Sequence, residues 1–467
     1  MAVPSQPTRR LSLPARDEFR IPTNKDIGAT SLAREVAHDT CVYMCGNSLG
    51  ALPKRSEELV KEEFAVWGTR AVEGHFDHPH GREWMNIADT VHPFLADLVG
   101  ADASEVACMG TLTANLHLMM NTFYKPTADR YKILCEAHAF PSDQYAFASQ
   151  AALHGLDPAD AVLQLYPRAG EFTLREADIL DVLEREGDRI ALVLFSGVQY
   201  YTGQWFPMES VTKKGREKGC IVGWDLAHAI GNVPMSLHDW GADFAVWCSY
   251  KYLNSGPGGI AGIYMHSRWN DKVTNFAGWW GHEPSTRFQM PPVFSPIAGA
   301  QGFQQSNPSV LATVSLLGSL QVFHDAGGIS VLRERSVRLT KLLEDGLKSS
   351  KYFVPPEEAA ARYPALVPSS SASSATPPLS EPASARPSFT IITPSDPSSR
   401  GAQLSLLFLP PASGVMQKVH DGLKARGVIG DERRPDVIRL APTPLYNTED
   451  EVRRTVEVLE QTLQGIA

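Results

Sequence analysis

The chain has 467 residues, 43% of them hydrophobic and 20% charged, with a formal net charge of -9. That balance suits a globular chain of two or three domains at roughly 150 residues each, and the lack of any basic run argues against a nucleic-acid partner. No window reaches about 18 consecutive apolar residues, so neither a transmembrane helix nor a membrane partner is expected.

The opening stretch MAVPSQPTRRLSLPARDEF carries three arginines but no apolar block of the kind a secretory signal needs, and Asp17 and Glu18 come early. A cytoplasmic protein is expected. Apolar, strand-like runs then follow at 106–110, 131–140, 190–198, 219–229, 242–250 and 258–266, separated by helical patterns such as ANLHLMMNTFY and EADILDVLEREG. Alternation of this kind predicts an α/β fold built on a mostly parallel sheet. A long helical pattern spans 311–350, and a smaller α+β segment closes the chain. The expected division is an N-terminal segment 1–70, a large domain 71–320 and a small domain 321–467. Within the last, residues 366–387 are dominated by Ser, Pro and Ala and predict a disordered surface insertion. PSFTIITP and AQLSLLFLP, flanking its end, read as strands.

The six cysteines, Cys41, Cys45, Cys108, Cys135, Cys220 and Cys248, form no CxxC pair and read as buried, reduced thiols. GHFDHPHG brings His75, His78 and His80 together, but without a cysteine or acidic set beyond Asp77 it reads as an exposed loop and no metal is expected. The glycines of NSGPGGIAG precede a strand instead of opening a helix after one, which rejects a dinucleotide fingerprint.

Four constellations fall at strand ends, where ligands bind in open α/β sheets. In MGTLTANLHLMM a strand ends at Gly110 and a helix opens, so free N–H groups near Leu112 and Thr113 offer an anion site. In EAHAFPSDQYAF a strand ends at Phe140, a ring able to stack on a planar ligand. In GWDLAHAIGN, Asp225 leaves a buried strand and needs a partner, with His228 close behind. In VWCSYKYLNSGPGG, Lys251 sits between Tyr250 and Tyr252, where desolvation lowers an amine's pKa and fits it for Schiff-base chemistry. Taken alone, Thr113 reads as part of an ordinary helix start, Asp225 as a cap and Lys251 as an amine reaching to solvent. Together they are the phosphate cradle, stacking ring, acid and lysine that pyridoxal 5'-phosphate requires.

With those motifs, and with YMCGNSLGALP, SGVQYYTGQWF, GWWGHEPSTRF and VIRLAPTPLYN, the chain resembles the kynureninases over nearly its whole length. The resemblance implies a fold-type I, aminotransferase-like large domain with a smaller α+β C-terminal domain. It implies hydrolysis of L-kynurenine, 3-hydroxy-L-kynurenine or both to L-alanine and the corresponding anthranilate, in tryptophan catabolism and NAD biosynthesis. Lys251, Tyr250 and Asp225 are the implied catalytic residues, with Tyr250 the candidate proton relay. Leu112, Thr113, Phe140, Ser142, Asp143, Ser196, His228, Trp279 and Asn307 join them around the cofactor. Arg439 is implied to bind the substrate α-carboxylate, with Ser48, His75 and Asn307 at its aromatic end. A homodimer with its active site at the interface is implied as well. The Ser/Pro/Ala insertion departs from the family pattern without touching these positions. A cysteine desulfurase shares the lysine–aspartate logic but needs a nucleophilic cysteine late in the chain, and none follows Cys248. A non-catalytic cofactor-binding protein would be expected to have lost Lys251 or Arg439.

Overall fold

A computed structural model of the chain describes residues 11–273, 275–364 and 386–466. Its central sheet has strands β1 (Val106–Cys108), β2 (Lys132–Glu136), β3 (Val162–Leu165), β4 (Ile190–Ser196), β5 (Ile221–Asp225), β6 (Phe244–Cys248) and β7 (Ala261–Met265). Their order is β1-β7-β6-β5-β4-β2-β3. Only β7 runs against its neighbours; the pairs β6–β5, β5–β4, β4–β2 and β2–β3 are parallel. IALVLFS and FAVWC are buried almost throughout, which is why they read as continuous apolar runs and not as alternating ones. Strand β3 was not among the expected elements. It is a half-buried edge strand, VLQL, whose pattern lacks the apolar density of the central strands.

Helix α1 (Lys54–Arg70) lies against α4 (Val310–Asp325), where Ser56 Oγ donates to the Ser315 carbonyl at 2.6 Å. Between them, α2 (Leu112–Phe123) and α3 (Pro141–Leu153) follow β1 and β2. The helical pattern at 311–350 is two helices, α4 and α5 (Gly328–Lys348). The break falls at Gly327 and Gly328, with φ of 99° and 75°, a left-handed pair that ends the first helix and redirects the second.

The expected strands near the end of the chain are β8 (Ser388–Ile391) and β9 (Leu404–Leu409). With β10 (Asp431–Arg433) and β11 (Val437–Leu440) they form an antiparallel sheet ordered β8-β9-β11-β10. Leu406 of this sheet shares one apolar cluster with Leu343 of α5, Leu423 of α6 (Val415–Ala425) and Leu459 of α7 (Glu449–Ile466). The N-terminal segment is tied to this unit by Val42–Tyr43, which pair in parallel with Val428–Ile429. The expected insertion at 366–387 lies, apart from its last two residues, outside the described residues, as does the stretch 1–10.

Under the central sheet, His92 is 2% exposed and accepts the Cys108 N–H at Nε2, 3.2 Å away. Burial pushes its pKa down to about 4. The unfolded chain therefore binds the extra proton between about pH 6.5 and 4, and the stability this histidine contributes is complete above that window and lost as pH falls through it. Up to about 3 kcal/mol is involved. His92→Gln, which keeps an acceptor, is expected to flatten that part of the acid limb; chemical denaturation at pH 7 and pH 4.5 measures it.

Candidate active site

Because β1, β2, β4, β5 and β6 run the same way, their carboxyl ends meet at one edge of the sheet. That edge opens into a cleft of about 490 Å³. Leu112 and Thr113 reach it from the start of α2, and Phe140, Ser142 and Asp143 from the turn after β2 and the start of α3. Ser196 ends β4, Asp225 ends β5, and His228, Tyr250 and Lys251 complete the lining. Ten of the positions expected around a cofactor thus face one space, with Val198, Tyr200 and Ala227 beside them.

Lys251 Nζ lies 2.9 Å from His228 Nε2, and 5.9 Å and 5.8 Å from the ring centres of Phe140 and Tyr250. Burial lowers the lysine pKa, while Cys248 and Asp225 pull it back up. Burial also holds His228 well below its ordinary value, and the Lys251 charge adds to this. A neutral His228 accepting from Lys251 at Nε2 carries its proton on Nδ1, which is buried and has no partner among the described residues. Asp225 is 4% exposed; its Oδ1 accepts the Ala227 N–H at 2.7 Å, and burial raises its pKa. Asp143 stands against it, raised well above the carboxylate range by burial and by the Asp225 charge, and its Oδ1 is unpartnered. Buried acids short of partners are costly by themselves and call for a cation or a donor from outside the chain.

The remaining parts fit the same guest. The first turn of α2 has no side-chain cap, so its N–H groups stay free for an anion. Phe140 is 42% exposed and meets Tyr200 edge-on at 5.1 Å, leaving a ring face on the cleft. A pyridoxal phosphate finds here an amine, an acid, an aromatic plate and a phosphate cradle.

Two groups at the cleft, Glu136 and Tyr200, fall outside the expected set. Glu136 ends β2 fully inside, its pKa raised by burial to about 7, and accepts the Ser196 hydroxyl and backbone N–H. The rule that singled out Asp225, an acid closing a buried strand, applies equally to ILCEAH. Tyr200 lines the cleft and uses its carbonyl to hold Arg439 and Gln403, at 2.7 Å and 3.0 Å.

Ser48, His75, Trp279, Asn307 and Arg439 do not line the cleft. Arg439 lies behind Tyr200, with no exposed surface, and burial pulls its pKa down to about 10. Ser48 sits in a turn pressed onto the lysine: Gly50 N–H donates to the Tyr250 carbonyl at 2.8 Å, and a Cβ on Gly50 would come within 2.4 Å of the Lys251 carbonyl. His75 packs edge-on against Trp84 at 5.2 Å. Its neighbour Phe76 and Trp279 both meet Phe288, at 5.8 Å and 5.4 Å, in a patch where all three rings are exposed. Asn307 has a buried, unpartnered Oδ1.

The family model for class-V aminotransferases matches residues 76–367. A cysteine desulfurase from Thermococcus onnurineus superposes with a TM-score of 0.69 at 16% identity, covering 91% of this chain and 95% of its own. Fold and site together define a pyridoxal-phosphate enzyme of the class-V aminotransferase type. The kynureninases of Yarrowia lipolytica and Saccharomyces cerevisiae are both 46% identical to the chain, over 97% of it and 98% and 97% of their own lengths; the model for the kynureninase C-terminal domain matches residues 373–459. The chain belongs to the kynureninase family.

Proposed function

We propose that the chain hydrolyses L-kynurenine, its 3-hydroxy form or both, to L-alanine and anthranilate or 3-hydroxyanthranilate, with pyridoxal 5'-phosphate held in the cleft. The observation that carries this reading is the meeting of Lys251, Asp225, Phe140 and the open N-terminus of α2 in one space. When bound, the cofactor supplies an electron sink for the carbanion at the substrate Cα.

Lys251 is the attachment point and the base for the Cα proton, a task suited to an amine whose pKa burial has lowered. Asp225 holds the proton on the ring nitrogen, with Asp143 beside it and His228 next to the lysine. Leu112 and Thr113 take the phosphate through the start of α2; Ser142 and Ser196 complete the rim. Arg439 binds the α-carboxylate. Tyr250, whose phenol burial keeps protonated, carries protons in the later steps, in which water adds to the γ-carbonyl and the Cβ–Cγ bond breaks. Tyr250→Phe is expected to cut product formation at least about tenfold while solvent deuterium still exchanges into Cα at the normal rate. Loss of both together would remove Tyr250 from the relay.

Ser48, His75 and Asn307 recognise the aromatic end and Trp279 the cofactor edge, and we assign the exposed patch around His75 and Trp279 to a second copy of the chain, in a homodimer with an interfacial active site. Sedimentation at the mass of one 51.1 kDa chain would refute the dimer. Among the described residues no helix is long and apolar enough to cross a membrane, and a cytoplasmic location in tryptophan catabolism accords with this. The division expected near residue 320 is proposed to fall at Gly327–Gly328. Steady-state kcat/KM for both substrates on one preparation tests the assignment, and activity on neither would overturn it.

A further inference from the structure

Arg439 and Asp431 face each other across the pair β10–β11. Asp431 Oδ2 accepts from Arg439 Nε at 2.6 Å and also from Nη2, while Arg439 Nη1 donates to the Tyr200 carbonyl at 2.7 Å. The guanidinium is therefore gripped by its Nε–Nη2 side, and among the described residues one N–H on each terminal nitrogen has no partner. That end is the one a carboxylate takes as a fork. A second guanidinium, Arg433, sets its Nη2 3.1 Å from the same Asp431 oxygen, and its buried Nε has no partner among the described residues. The half-buried Arg433 and the fully buried Arg439 thus share the Asp431 carboxylate.

We propose that Asp431 is a positioning residue for substrate binding. It holds Arg439 side-on so that the free end of the guanidinium meets the substrate α-carboxylate. This rests on the reading of Arg439 as the α-carboxylate anchor. Without Asp431 the planar fork turns about its own stem, and the Tyr200 carbonyl alone cannot set its plane. The loss should fall on ground-state binding of the carboxylate, not on the bond-breaking steps.

The test uses the holoenzyme. Asp431→Asn is expected to raise KM for L-kynurenine about 10- to 50-fold with kcat within about threefold, and Asp431→Glu to recover most of the loss. The inhibition constant of 2-aminoacetophenone, an aryl ketone without the amino-acid carboxylate, is expected to stay unchanged, as is the cofactor absorbance, while the thermal midpoint falls because the buried Arg439 loses its charged partner. An unchanged KM, or a parallel loss of affinity for the ketone, would overturn the role of Asp431. Arg439→Lys separates the two readings. A rise in its KM alongside an unaffected Asp431→Asn enzyme would sink the positioning role alone. An unaffected KM in the lysine variant would remove the anchor and the proposal with it.

Discussion

Lys251→Ala is expected to lower turnover of L-kynurenine by about 10,000-fold while the protein stays folded. In the proposed function the amine is the attachment point, the base at Cα and the group displaced by the substrate, so its removal takes several functions at once and the effect exceeds that of a single general base. The fold should not suffer. Among the described residues the amine's one hydrogen bond is to His228, and removing a buried cation whose pKa is already lowered relieves a desolvation cost. Borohydride reduction gives an independent reading: the cofactor mass should become fixed to the wild-type peptide carrying Lys251 and to no peptide of the variant. A variant keeping more than about a tenth of the activity would show that another group takes the Cα proton, and would unseat the lysine.

Why this lysine was legible, while other parts of the site were not, follows from what the residues do locally. A strand buried on both faces must be a continuous apolar run, and in a parallel sheet its carboxyl end opens at the ligand edge. Asp225, Phe140 and Lys251 could thus be placed from their position after such runs. The same rule covers Glu136, which was passed over because nothing marked the acid in ILCEAH as different from a cap. The edge strand Val162–Leu165 is only half-buried and carries Gln164, so its pattern gave no signal. The break at Gly327–Gly328 was lost inside a helical periodicity that continues on both sides. The pairing of Arg439 with Asp431 was hidden for another reason. It depends on the register of a short hairpin, and register is set by packing of Ile438 and Leu440 into the small-domain core, not by any local motif. His75 and Trp279 were assigned by resemblance, and in one chain both stand away from the cleft, His75 half-buried and Trp279 exposed.

Asp225→Asn should act in opposite directions on the two forms of the enzyme, and that sign reversal is its signature. The side chain ends β5 between Ser196 of β4 and Val246 of β6, and its Oδ1 accepts the Ala227 N–H, a bond that an asparagine oxygen keeps. In the cofactor-free protein the carboxylate is buried with its pKa raised, so ionising it costs stability. Its unfolded form loses the proton first, and the penalty grows as pH rises from the unfolded value through the folded one. Asparagine removes that penalty, and the cofactor-free variant is expected to melt at a temperature equal to or above that of the wild type. With the cofactor present the balance inverts. In the proposed function the carboxylate is then paired with the protonated ring nitrogen, and an amide would offer neither the charge nor a reason for that proton to stay. Breaking a buried charge pair by removing one partner costs about 3–5 kcal/mol, which at about 1.4 kcal/mol per decade corresponds to a loss of roughly 1,000-fold in kcat. Melting with and without pyridoxal phosphate, together with kcat, reads both effects: the shift in midpoint on adding cofactor should shrink sharply in the variant. An undiminished shift with kcat within threefold would mean that the ring nitrogen is held by another group. Asp143, buried beside Asp225 with an unpartnered oxygen, would then be the residue to replace next.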